Sequence, residues 1–279
     1  MINKSGPLGE YLRARRAVLQ PQKLGFGVAE RRRVPGLRRQ EIAQLAGISL
    51  EYYVRLEQGR ERHPSEQVVD SLARGLQLDA AATAHLHRLA SMPRHQTMRQ
   101  PLEVVPPGIR QLISGWTANP AFVIGKFGDI HVANSLAEAL CPSYQAGRNL
   151  FRDAFLDPEV RSFYTEWEAF TGALVAGLRS LAVPPHLGNP HLQSLVSDLS
   201  AGSERFRSLW ERHDVRGQTG GTFHISHPAV GSLELFVEKL AVTGSDGLTL
   251  MIYHAEPGSP SAKGLSLLAA AAATTTIPQ

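Results

Sequence analysis

The sequence predicts two domains, an all-α domain of five helices followed by an α+β domain built on an antiparallel sheet. Three observations carry this. The first 92 residues hold five apolar-periodic segments broken by turn signals. The stretch 93–107 carries Pro93, Pro101, Pro106 and Pro107 with few apolar residues and reads as a linker. Beyond it, strand-like runs with hairpin connections stand before and after a group of helices. A chain of 279 residues suits two domains, here bounded as 1–92 and 108–258. Residues 259–279 are expected to form a C-terminal helix and a frayed tail.

In the first domain, Leu8, Tyr11, Leu12 and Val18 lie near helical spacing, with Arg13, Arg15 and Arg16 mostly on other faces. Residues 20–36 contain Pro21, Gly25, Gly27, Pro35 and Gly36 and read as a long basic loop. Two short helices follow, over about 38–46 and 49–58, with Gly47 between them and Gly59 after the second. Ser65 caps a fourth helix and Asp79 a fifth, which ends near Met92-Pro93.

In the second domain, a helix near 109–117 precedes strands over 121–126 and 129–133, turning at Phe127-Gly128. At least three helices are expected between Ser135 and Arg212, one of them long, over about 159–180. Asn134, between strand and helix, is most simply an N-cap. Strands over 221–226, 232–240 and 248–254 follow, joined by Gly- and Pro-containing connections that suit hairpins. Hairpin-linked strands pair antiparallel, so the helices are expected to pack on one face of one sheet.

Composition excludes several classes. The lone Cys141 rules out an internal disulfide framework and points to a reducing compartment; it is expected to be buried. No apolar run is long enough to span a membrane, and residues 1–7 lack a signal-peptide core, so a cytoplasmic protein without a membrane partner is expected. Charge is asymmetric. Residues 1–100 carry 17 Lys and Arg against 9 Asp and Glu, while the remainder carries 12 against 16. A basic first third is the footprint of a module that meets a polyanion, although basic faces are often only solvated surface.

Residues 37–59 read LRRQEIAQLAGISLEYYVRLEQG. Ile42, Ala43 and Leu45 are expected on the inner face of the first short helix, and Ile48 anchors the turn that Ala46 and Gly47 permit. Ser49 caps the second helix, whose Tyr53 and Leu56 point inward. That leaves Leu50, Glu51, Tyr52 and Arg55 outward near the helix start, where a recognition helix meets base edges in the major groove of double-stranded DNA. Tyr52 is either a thymine-methyl or phosphate contact or simply an exposed aromatic. Arg31, Arg32 and Arg33 follow the DNA backbone or enter a minor groove, unless they are a solvated charge run.

Gln40-Glu41-Ile42-Ala43, Ala46-Gly47-Ile48-Ser49 and Leu56-Glu57-Gln58-Gly59 resemble the helix-turn-helix of the xenobiotic-response-element class, related to phage repressors. The resemblance implies base reading by Leu50, Glu51 and Arg55, and phosphate contacts by Arg39 and Gln40, which Arg38 is expected to join. A longer resemblance is to the MmyB-like regulators. It rests on Arg31-Arg32-Arg33 with Pro35-Gly36-Leu37-Arg38-Arg39, Arg148-Asn149, Phe155-Leu156-Asp157, Leu209-Trp210, His213-Asp214-Val215 and Glu256-Pro257-Gly258-Ser259. One departure is Ala133, where that family usually has tryptophan before Asn134.

This second resemblance implies a PAS-like ligand-binding domain that takes a small apolar molecule of the fatty-acid class. Candidates for an apolar lining are Phe122, Ile124, Ile130, Phe151, Phe155, Trp167, Phe206, Trp210, Phe223 and Leu235. Arg148, Arg179, His213 and His227 are the polar groups that would orient a carboxylate or cap a loop. A homodimer placing two recognition helices on a palindromic site is expected.

No cofactor, metal site or catalytic residue is expected. His85 and His87 lie two apart on a helix and point to different faces. His224 and His227 lack a third ligand at a recognisable spacing, and no phosphate loop or nucleophile elbow occurs. Two other readings stay open: a ligand-binding or interaction scaffold that dimerises through the helical domain, and an enzyme fused to a DNA-binding module.

Overall fold

The structure is a computed structural model that describes residues 6–26, 36–61, 63–91, 103–183, 186–215 and 220–275. By packing, the chain forms two units that are not continuous in sequence. The first comprises residues 1–96, 175–190 and 206–217, and the second comprises 97–174, 191–205 and 218–279.

The first unit begins with α1 (Gly6–Val18) and a single 3-10 turn, Pro21–Leu24. Then come α2 (Arg39–Ala46), α3 (Leu50–Glu57), α4 (Glu66–Gly75) and α5 (Ala80–Ala90). Ser49, Ser65 and Asp79 each accept a backbone N–H three residues on, at α3, α4 and α5 respectively. Each cap satisfies an N–H that the first helical turn leaves without an intrahelical partner. Tyr11, Leu12, Ile42, Tyr53, Leu56, Leu72 and Leu86 are fully buried in one core. At Gly9 of α1 a Cβ would lie 2.5 Å from the Glu57 carbonyl oxygen, so only glycine lets α1 and the end of α3 approach this closely. Leu45 departs from expectation. Ile42, Ala43 and Ala46 form the buried face of α2, and Leu45 is on the exposed side of the same turn.

The remaining elements are α6 (Pro107–Ser114), β1 (Ala121–Ile124), β2 (Ile130–Ala133), α7 (Ser135–Leu140), α8 (Leu150–Leu156), α9 (Pro158–Phe163) and α10 (Trp167–Leu181). After them come α11 (Pro190–Gly202), α12 (Glu204–Glu211), β3 (Gly221–His227), β4 (Gly231–Ala241), β5 (Thr249–His254) and α13 (Pro260–Thr275). The strands form one antiparallel sheet in the order β2-β1-β5-β4-β3. Strand alternation sorts side chains to two faces. Phe122, Ile124, Ile130, Ile225, Leu233, Leu235, Met251 and Tyr253 share a core with residues of α7, α8, α9, α10 and α13.

The opposite face is not bare, contrary to expectation. Ala121, Val123, Val132 and Leu250 pack there with Ile109 and Ile113 of α6. The helix expected near 109–117 begins at Pro107, whose fixed φ and missing N–H suit the first helical position.

The long helix expected over 159–180 is two helices. After Phe163 the chain leaves the helix, because Tyr164 forms a β-bridge to Ile225 and the Thr165 N–H donates to the His224 carbonyl at 3.0 Å. Pairing with β3 replaces helical hydrogen bonds over this short stretch. α10 then restarts at Trp167. Its residues through Leu174 belong to the second unit and those from Val175 to the first.

Candidate functional site

α2 and α3 are joined by a three-residue turn. Gly47 takes the left-handed conformation, with φ 65°, and the Ile48 N–H donates to the Ala43 carbonyl at 3.0 Å, closing α2. The Ser49 hydroxyl accepts from the Tyr52 N–H at 3.1 Å and starts α3. α3 is then divided by burial. Tyr53, Leu56 and Glu57 are fully buried, whereas Leu50, Glu51 and Arg55 are exposed and Tyr52 is half-buried. The Arg55 guanidinium lies 5.5 Å from the Tyr52 ring centroid, so the two side chains share one outward patch.

The buried Glu57 carboxylate is held from two sides. Arg16 donates to it through Nε at 3.0 Å and through a terminal nitrogen at 2.7 Å, and also reaches the Leu37 carbonyl at 2.6 Å. Arg39 donates its Nε to the other carboxylate oxygen while its side chain stays 45% exposed. Arg39 therefore ties α2 to α3 from the exposed side, beside Arg38 and Gln40, which are exposed as well. Arg31, Arg32 and Arg33 lie outside the described residues.

The second candidate site is the core between the sheet and its helices. Phe122, Ile124, Ile130 and Leu235 are buried in it, and Phe155, Trp167 and Phe223 pack against it partly buried. Its centre holds a feature that sequence reasoning missed. Tyr144, Tyr164 and Tyr253 converge there: the Tyr144 hydroxyl hydrogen-bonds the Tyr164 hydroxyl and lies 3.1 Å from that of Tyr253. Phe122 is 4.7 Å from Tyr144 between ring centroids, and Phe170 stacks on Tyr164 at 3.8 Å. Burial raises all three phenols, Tyr253 to about 12 and the other two well above the usual value, so all remain protonated donors. Burial likewise raises the Cys141 thiol to about 11.

Alternation held a clue, since Tyr253 stands two residues from Met251 on the inward face of its strand. The convergence itself needs tertiary structure, because the three residues are 20 and 109 positions apart.

The structure places the other predicted lining and polar residues elsewhere. The Phe151 ring fills the space beside Gly128, where a Cβ would lie 2.3 Å from it. Arg148 pairs with Asp153 at 2.8 Å and Asp157 at 3.1 Å on the exposed side of α8. His227 accepts the Ala229 N–H at Nδ1, so its Nε2 donates to the Ala139 carbonyl at 3.1 Å, as loop capping requires.

Arg179, Phe206, Trp210 and His213 gather in the first unit instead. Phe206 and Trp210 stack at 5.6 Å, and the Arg179 guanidinium lies 3.5 Å from the Trp210 ring centroid while donating to the Trp210 carbonyl. Beside them Tyr11 contacts His85 and His213, with ring centroids 4.9 and 6.3 Å away. Burial, reinforced by Arg88 and Arg179, lowers His85 to about 4. Burial, with Arg179, His85 and Arg15, lowers His213 to about 3.

Among the described residues no helix is long and apolar enough to cross a membrane, and no group of three or more His, Cys, Asp or Glu is placed to hold a metal ion. Residues 7–86 match the family model of a helix-turn-helix domain. Residues 105–268, more than half of the chain, match the model of the MmyB-like transcription regulator ligand binding domain. A comparison with curated proteins found no match. A helix-turn-helix domain joined to a ligand-binding domain of this kind makes the chain a member of the MmyB-like transcription regulators.

Proposed function

We propose that α3 reads an operator through Leu50, Glu51, Tyr52 and Arg55, and that a small apolar molecule of the fatty-acid class, held in the aromatic core of the second unit, controls this binding. The observation that carries the DNA half is the division of α3, whose exposed first turn is backed by a buried Tyr53-Leu56-Glu57 face. A helix anchored in this way presents base-reading side chains in fixed geometry. Arg38, Arg39 and Gln40 are assigned to phosphates at the start of α2, and Arg31–Arg33 to the backbone or minor groove. The protein acts as a homodimer, so that two copies of α3 meet two half-sites one helical turn apart.

The ligand half is supported by the aromatic core and by the continuity of α10. Phe170 packs in that core, and the same helix runs on from Val175 as part of the first unit. The ligand acts by binding, and no reaction is assigned to the site.

The test has two arms. Selection of binding sequences from a random DNA pool should give a consensus that survives excess competitor DNA. Native mass spectrometry of freshly purified protein should show an added mass that is released by solvent as a lipid. A protein that retards all DNA equally would defeat the first assignment, and one that neither carries nor binds any apolar molecule would defeat the second.

A further inference from the structure

The three phenol hydroxyls in the core raise a question that packing does not answer. Tyr144 comes from the turn after α7, Tyr164 from the corner between α9 and α10, and Tyr253 from β5. Their hydroxyl groups meet one another inside a cluster otherwise built of Phe122, Phe170, Leu136, Met251 and similar apolar side chains. Three phenylalanines would fill nearly the same volume without the cost of taking three hydroxyls out of water. Each hydroxyl carries one donor and two lone pairs, so a mutual cluster leaves acceptor capacity unused and can exchange partners by rotation.

The electrostatics of the cluster are also one-sided. The three hydroxyls act on one another, and the Cys141 thiol acts on each of them as well. Among the described residues, cations that border this core are Arg161 and Arg205, at 4.8 and 4.9 Å from the Trp167 ring, and Lys239 of β4, which pairs with Met251 two residues beyond Val237 on the inward face of the sheet. A carboxylate held by these hydroxyls would be taken out of water against neutral donors that bond one another and no cation, and this burial favours its protonated form.

Resting on the ligand reading above, we infer that Tyr144, Tyr164 and Tyr253 form the polar anchor of the ligand site, and that the group they take is a neutral oxygen: a hydroxyl, a carbonyl or an undissociated carboxyl. The apolar remainder of the ligand lies against Phe122, Phe170 and Phe223. Insertion of an oxygen between the hydroxyls draws Tyr164 away from Tyr144. Tyr164 sits at the corner that the bridge to Ile225 pins to β3, so the start of α10 is the part of the fold that such a ligand moves.

The experiment titrates the full chain with 1-dodecanol and with dodecanoic acid, followed by tryptophan fluorescence between pH 6.5 and 8.5. Dodecanol should bind with the same affinity throughout. Apparent affinity for the acid should fall about tenfold per pH unit, because only the undissociated fraction is taken and that fraction falls tenfold per unit above the acid's own pKa. Tyr144→Phe, which keeps the ring and removes the central hydroxyl, should weaken dodecanol about five- to tenfold. Tyr253→Phe should do the same, and an unchanged circular dichroism spectrum establishes that each variant is folded.

Acid binding that is independent of pH would overturn the inference in favour of a carboxylate held beside Arg161 and Arg205. Dodecanol binding unchanged in both folded variants would overturn the tyrosine anchor while leaving the ligand core intact. If folded wild-type protein binds neither compound yet carries another apolar molecule from the cell, the neutral-oxygen assignment alone fails. If it takes up no apolar molecule at all, the ligand reading fails with it.

Discussion

Arg16 of α1 gives two N–H groups to the fully buried carboxylate of Glu57, the last residue of α3, at 3.0 and 2.7 Å. With Arg39 on the second oxygen, three helices of the DNA-binding unit meet on one side chain. A charge taken wholly out of water is tolerable only when paired and hydrogen-bonded, as here. Glu57→Ala strands two guanidinium groups and should cost about 3–5 kcal/mol, read from urea unfolding. Glu57→Leu with Arg16→Met removes both partners of the inner pair and should cost clearly less than Glu57→Ala. Equal losses in the two variants would mean that packing, not charge pairing, sets the effect.

The outward and backing residues should separate in DNA binding. Arg55→Ala should relax preference at one base position by about 1–3 kcal/mol, as the loss of a bidentate guanine contact does, without altering the salt dependence. Arg38→Ala should instead weaken binding to all sequences alike and lower the slope of log affinity against log salt by about one. A selected consensus left unchanged by Arg55→Ala would remove that residue from the base-reading set.

Much of this arrangement was legible in the sequence, for physical reasons. N-caps are local, so Ser49, Ser65, Asp79 and Asn134 could be read from one residue and its neighbours. Hairpin strands are local too, and β1 to β5 fall close to their expected positions. What was not legible depends on distant partners. The break between α9 and α10 contains neither proline nor glycine; it exists because Thr165 finds the His224 carbonyl across the fold. Likewise Arg39 resembles a phosphate contact in its motif, but its tie to Glu57 is visible only once α2 and α3 are folded together. The tyrosine cluster is of the same kind, for each residue alone looks like an ordinary member of an apolar core.

Asn134 does more than cap α7. Its side-chain oxygen accepts from the N–H groups of Ala137 at 2.8 Å and Ala121 at 3.1 Å, and its nitrogen donates to the carbonyls of Trp116 at 2.9 Å and Asn119 at 2.8 Å. One side chain thus fixes the start of β1, the end of β2 and the loop before them. Asn134→Ala should cost about 2–4 kcal/mol, more than a cap alone, because buried backbone groups lose their partners. Asn134→Asp keeps the acceptors but sets a carboxylate oxygen against two carbonyls, so it should not restore stability. A thermal melt of each variant decides this, and an Asp variant as stable as wild type would refute the donor role.

The last prediction concerns acid. His85 is 1% exposed, and burial holds its folded pKa near 4 against an ordinary value of about 6.5. The unfolded chain therefore binds a proton at a higher pH than the folded chain. Above pH about 6.5 both states are neutral at this position and its full contribution is present. As pH falls from there toward 4, the unfolded state gains the proton first and stability is lost, by at most about 3 kcal/mol for this one group. His213, lowered to about 3 by burial and by Arg179, His85 and Arg15, acts in the same direction and extends the loss to lower pH. Urea unfolding of the wild-type protein at pH 7.5, 6 and 5 should show a falling midpoint. His85→Gln, which cannot titrate, should flatten that fall, and His85→Gln with His213→Asn should flatten it further. An equally steep fall in the double variant would remove both histidines as the source of the acid sensitivity.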